Sequence, residues 1–98
     1  MPRLEASIED NCCKIAKDKY NLSNIKVVVP GEKGWPDRLF WARTTEIIMF
    51  FVEFKRKGET SSKLQREIHK QIRESGIDVY VLDNEEDFEW TCHCEIHT

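Results

Sequence analysis

The chain has no apolar run long enough to cross a bilayer. Its longest, Ile47-Ile48-Met49-Phe50-Phe51-Val52, has the length of a strand. The segment Met1-Pro2-Arg3-Leu4-Glu5 lacks the hydrophobic region of a signal peptide. No membrane partner is expected, therefore, and a cytoplasmic location is. Glycine and proline are scarce, with four and three copies, and there is no repeat, low-complexity segment or linker. The four cysteines suit a reducing compartment; Cys12 and Cys13 are adjacent, so a disulfide between them would be strained. Lys and Arg are absent after Arg73. What is there is 98 residues, 40% of them hydrophobic, enough for a single domain over 1–98 with one modest core.

The net charge of −3 conceals an uneven distribution. Residues 1–54 hold eight basic and eight acidic side chains. Residues 55–73 hold seven basic ones (Lys55, Arg56, Lys57, Lys63, Arg66, Lys70, Arg73) against Glu59 and Glu67. Residues 74–98 hold eight acids and no base. A basic block followed by an acidic segment suits a protein that meets phosphates at one place, though a solvated helix face has the same composition. The domain core is expected over about 4–87, with 88–98 as an acidic C-terminal tail lying away from any phosphate-binding surface.

Residues 4–19 read as a helix, with Leu4, Ile8, Cys12, Ile15 and Ala16 at helical spacing. Asn21 to Asn24 is turn-like, and Ile25 to Val29 reads as a strand stopped by Pro30. Asp37 to Ala42 and Glu46 to Lys55 read as two strands joined near Arg43-Thr44-Thr45. The second is β-branched and aromatic, so it should be central, and its Ile47–Val52 part should be covered within the monomer. A helix is expected from about Ser62 to Ser75, with Leu64, Ile68 and Ile72 buried and Gly76 as its stop. Ile77 to Leu82 alternates as a final strand, and a short helix from Asn84 to about Trp90 follows. The order helix, three strands, helix, strand implies an α/β domain on a mixed sheet, because the helical crossover makes the last strand pair parallel.

Glu53 and Lys55 are two apart on one strand and so share a face, while Val52 and Phe54 point to the other. Asp37 stands 16 residues earlier, at the start of the preceding strand. Pairing across the Thr44-Thr45 turn brings it beside Glu53, each about seven residues from that turn. Two carboxylates beside a lysine form a site for a hard cation; Mg²⁺ takes one or two carboxylates with waters and phosphate oxygens. Taken alone, Asp37 could equally end a turn, and Glu53 with Lys55 could be a surface pair.

Pro36-Asp37 followed by Glu53-Phe54-Lys55 matches the PD-(D/E)xK nuclease signature. Gly34-Trp35-Pro36-Asp37-Arg38, Phe51-Val52-Glu53-Phe54-Lys55, Leu64-Gln65 and Gly76-Ile77-Asp78-Val79-Tyr80-Val81-Leu82-Asp83 occur in order. Together they resemble the virus-type replication-repair nuclease (VRR-NUC) family, over roughly Leu4 to Asp87. The compact form is similar to its stand-alone phage and bacterial members. The resemblance implies a restriction-endonuclease-like αβββαβ core, a mixed sheet flanked by helices, and residence in a bacterial or phage-infected host cytoplasm. It implies that Asp37, Glu53 and the backbone carbonyl of Phe54 ligate Mg²⁺ or Mn²⁺, and that Lys55 orients the attacking water and stabilises developing charge. Gln65 matches the family glutamine beside the active site. Glu5 matches the acid of the first helix, with Glu9, one turn on, as the weaker candidate. The bulky Trp35 and the middle residue Phe54 are departures that remove no catalytic group.

The implied activity is hydrolysis of DNA phosphodiesters, leaving a 5′ phosphate. The implied substrate is branched DNA, in particular four-way (Holliday) junctions, cut by a homodimer with two active sites. Arg38, Lys57, Lys63, Arg66, His69, Lys70 and Arg73 would hold the nucleic-acid backbone, with Gln65, His69 and Arg73 forming one helical stripe. The alternatives are a less selective flap or nicking nuclease, and a non-catalytic nucleic-acid-binding module that kept the fold. Trp35 and Trp41 read as packing residues, with Trp35 close enough to the active loop to touch substrate. Cys92-His93-Cys94 with His97 suggests zinc, but the spacing is tight for four ligands and the segment is terminal.

Overall fold

The computed structural model describes residues 5–43 and 47–97. Its elements are α1 (Glu5–Tyr20), β1 (Leu22–Lys26), β2 (Arg38–Arg43), β3 (Ile47–Phe54), α2 (Lys63–Glu74), β4 (Asp78–Leu82) and α3 (Glu85–Ile96). The strands lie in the order β1-β2-β3-β4. β1 and β3 run antiparallel to β2, and β4 runs parallel to β3 after the α2 crossover. This is the α/β domain on a mixed sheet that the order of elements implies. Leu4 and residues 44–46, which include Thr44 and Thr45 of the turn expected near Arg43-Thr44-Thr45, fall outside the described residues.

Strand alternation divides the sheet between two apolar layers. Leu22, Phe40, Phe50, Val52 and Phe54 face α1 and α3, where Ile8, Cys12, Ala16, Phe88 and Cys92 complete the larger core. Phe40 stacks on Phe50, and Phe88 meets both Phe40 and Phe54. On the other face, Phe51, Val79 and Leu39 pack under Ile68 and Ile72 of α2. β3 is central, but its covering is incomplete. Phe50, Phe51 and Val52 are buried, whereas Ile47 is 87% exposed and Met49 is exposed too, because α2 reaches only the far end of their face.

Three segments differ from the sequence reading. The first strand begins at Leu22 rather than Ile25. Asn21, at φ 53°, takes the left-handed conformation that ends α1, so one residue makes the turn assigned to four. The polar Ser23 and Asn24 are paired with Trp41 and Phe40. The segment 88–98 is not a tail, since α3 continues to Ile96 and places Phe88 and Cys92 in the core. Its acidic first turn suits the positive end of the helix, and the Asn84 side chain caps it by accepting from Asp87 N–H. Leu64 is half exposed, and His69 takes its place in the buried stripe of α2.

Because Phe88 is fully buried against β2 and β3, Phe88→Ala should destabilise the domain by about 3–5 kcal/mol, a large part of an ordinary domain's stability. A chain cut after Asp87 should lose its cooperative urea transition. A truncated chain that unfolds like the full one would show that 88–98 is dispensable after all.

Candidate active site

Register places the two carboxylates together. Arg38 pairs with Val52 and Val27 N–H donates to Asp37 O, so Asp37 continues β2 opposite Glu53. Both lie on the α2 face of the sheet, as does Lys55. Asp37 is held from two sides. Its Oδ2 accepts from Phe54 N–H at 2.8 Å, and the preceding Pro36 is fully buried. Gly34 lets that loop pass under α2. It has φ 93°, and a Cβ there would lie 2.9 Å from Leu64 Cγ and 3.1 Å from Leu64 O. Trp35 closes the loop as a packing residue, against Phe51 and with its indole N–H on Glu32.

Glu53 is 4% exposed, and its Oε2 lies 3.8 Å from Lys55 Nζ. Burial first, and then the charge of Asp37, push its carboxyl up to about 8. Burial also raises Asp37, against the pull of Phe54 N–H. A proton shared between the pair is the expected response of two close carboxyls in a dry place. Lys55 donates to Gln65 Oε1 at 2.9 Å. The same oxygen accepts from Ser62 N–H at 2.8 Å, while Gln65 N–H donates to Ser62 Oγ, so Gln65 closes the capping box that starts α2. One side chain thus starts the helix and fixes the lysine beside the carboxylates.

The acids of α1 lie in different surroundings, and the charge of each is felt at the pair, Glu9 at Asp37 and Glu5 at Glu53. Glu9 is buried and bound to Arg38 Nε at 2.6 Å, with Lys26 at 3.9 Å. Glu5 is exposed at the helix start, and its charge is felt at Glu53. The basic residues differ too. Arg38 faces α1, where its second bond goes to Asn24, so it is not free to hold a nucleic-acid backbone. Arg73 donates to Val79 O and ties α2 to β4. His69, assigned to the backbone as well, is 1% exposed and points at Glu53. Lys57, Lys63, Arg66 and Lys70 remain exposed, the last three at i, i+3 and i+7 on one face of α2. In the sequence His69 lies four after Gln65 and three before Ile72, at the edge of the apolar stripe, where periodicity alone leaves its burial open.

The donor set fits a hard divalent cation. Two buried carboxylates are paired across β2 and β3, and Mg²⁺ takes one or two carboxylates with its remaining ligands from water and phosphate. Among the described residues no group of three or more His, Cys, Asp or Glu side chains could hold a metal by itself. That includes Cys92, His93, Cys94 and His97. Cys92 points into the core with its thiol pushed up to about 12 by burial, while His93 and His97 lie exposed on the outer side of α3.

The raised carboxyl of Glu53 has a consequence for stability. The folded, cation-free protein keeps a proton that the unfolded chain releases near 4.5, so stability should fall as pH rises from 4.5 to about 8. Glu53→Gln should flatten that loss and be the more stable form near pH 8, as read by melting temperature. A wild-type melting temperature that rises over this interval would show that the carboxyls do not strain the fold.

A solved structure titled "VRR_NUC domain" superposes with a TM-score of 0.74, covering 89% of this chain and 92% of its own at 19% identity, a likeness of fold. No curated protein matches the chain. No helix among the described residues is long and apolar enough to cross a membrane. The model of the VRR-NUC domain matches residues 6–85, most of the sequence and all of the strands and residues that build the carboxylate pair. The chain therefore belongs to the VRR-NUC domain family, and its function is of the nuclease type.

Proposed function

We propose that the chain is a Mg²⁺- or Mn²⁺-dependent DNA endonuclease that hydrolyses phosphodiester bonds at branched DNA, of the Holliday-junction resolvase type. The observation that carries this reading is the pairing of Asp37 and Glu53 across β2 and β3 with Lys55 on the same face. Asp37 and Glu53 hold the cation. The Phe54 carbonyl would be a third protein ligand, since Phe54 N–H points to Asp37 and in a strand a residue's N–H and C=O leave by the same edge. The bound cation supplies charge stabilisation to the phosphate and the leaving 3′ oxygen. Lys55, held by Gln65, orients the attacking water and offers a positive charge where negative charge develops. Glu5 is the supporting acid of the first helix, because Glu9 is committed to Arg38.

Lys57, Lys63, Arg66 and Lys70 form the exposed basic surface beside the site and suit contacts to successive phosphates, which position a duplex without reading its sequence. α3, with its acids, packs on the opposite face of the sheet. Two symmetric cuts need two active sites, and each chain holds one. A two-fold homodimer meets that need, and the apolar Ile25, Ile47 and Met49, exposed on the uncovered part of the α2 face, suit a protein contact.

Asp37→Asn keeps an oxygen for Phe54 N–H and Glu53→Gln keeps the side chain's shape. Each should cut cleavage more than about 100-fold, beyond the effect of losing an outer partner of a ligand, with DNA binding largely retained. The assay compares labelled junction, flap and linear duplex with Mg²⁺, Mn²⁺ or EDTA. Paired cuts at the junction are expected. Cleavage that persists in EDTA or in either variant would refute the site, and single nicks or flap removal alone would favour the less selective activity.

A further inference from the structure

His69 carries a buried polar atom with nothing to bind. It is held on the inner side of α2, and its Nε2 makes no hydrogen bond. Among the described residues one other buried side-chain nitrogen or oxygen lacks a partner, and that is Glu53 Oε1. The two atoms face each other at 3.8 Å. Each alone is costly, and a helix that needed only apolar filling here would be better served by Leu or Met. An imidazole nitrogen that carries its proton has an N–H to give, and Nε2 is the one that faces Glu53.

We infer that His69 is a positioning residue for Glu53: its Nε2–H donates to Glu53 Oε1 and fixes the carboxylate, leaving Oε2, the oxygen 3.8 Å from Lys55 Nζ, to the divalent cation. The inference rests on the nuclease reading of the same carboxylates. A small turn of either side chain closes the gap to hydrogen-bonding distance. Once made, the bond satisfies both orphaned atoms together. α2 thereby supports the site twice: Gln65 holds the lysine, and His69, one turn further, holds the carboxylate. Outer partners of this kind orient a ligand and raise its hold on the metal.

The test uses His69→Met, which fills the volume without a donor, and His69→Gln, whose amide can present an N–H at a similar reach. Mn²⁺ binding to the DNA-free protein is followed by the loss of the free-ion EPR signal, with circular dichroism to confirm the fold. His69→Met should bind Mn²⁺ about 10–100-fold more weakly, and His69→Gln should stay close to wild type. Wild-type affinity in His69→Met, or equal loss in both variants, would overturn the inference. The wild-type protein gives a check that needs no variant: nitrogen NMR at saturating Mg²⁺ should find His69 protonated at Nε2. Protonation at Nδ1 alone would overturn it. Asp37→Asn separates the two readings. If it loses Mn²⁺ while His69→Met does not, the inference fails and the carboxylate site stands. If it binds as wild type does, the cation site fails and the inference with it.

Discussion

Asp37 and Glu53 repel each other when both are ionised, and the domain is built so that they cannot move apart. The register of β2 against β3 sets them opposite one another, and Phe54 N–H pins Asp37 from the neighbouring strand. Glu53 sits near the end of a central strand whose neighbouring residues Phe51, Val52 and Phe54 are buried. Moving it by one position would turn every one of those side chains to the wrong face. The carboxylate pair therefore draws on the whole hydrophobic core for its geometry. Its unfavourable electrostatics in the cation-free state are offset by packing that lies mostly on the other side of the sheet.

The two faces of that sheet carry different work. α1 and α3 pack on one face, hold the larger core, and exchange charges between themselves, as in the Lys19–Glu89 pair. α2 stands on the other face, over the site. Its N-terminal capping box doubles as the support of Lys55, its inner stripe sets His69 against Glu53, and its outer stripe is basic. This separation accounts for the uneven charge of the chain. The acidic stretch after Arg73 belongs largely to β4 and α3, away from the face that bears Lys63, Arg66 and Lys70. Half of the α2 face stays bare around Ile47 and Met49, the part of the monomer least explained by its own packing.

The sequence showed the strands β2, β3 and β4, the helix α2 and the meeting of Asp37, Glu53 and Lys55, because period-two patterning and a short turn define register locally. It concealed what depends on partners distant in the chain. Ser23 and Asn24 look like turn residues, yet they pair with β2, and Asn24 accepts from Arg38. Residues 88–98 read as an acidic tail, yet Phe88 and Cys92 are buried in the core with α1. Arg38 and Arg73 look like phosphate ligands by charge, and their ion pair and carbonyl bond are visible only in three dimensions. His69 lay on the edge of an apolar stripe, where periodicity does not decide between solvent and a buried carboxylate.

The role proposed for a divalent cation is to relieve the strain between Asp37 and Glu53. Its most direct test is the melting temperature near pH 8, where Glu53 titrates, with and without Mn²⁺. Adding Mn²⁺ should raise it in the wild-type protein and hardly at all in Asp37→Asn. An equal rise in both proteins would mean that the cation binds elsewhere and that the carboxylate pair is not its site.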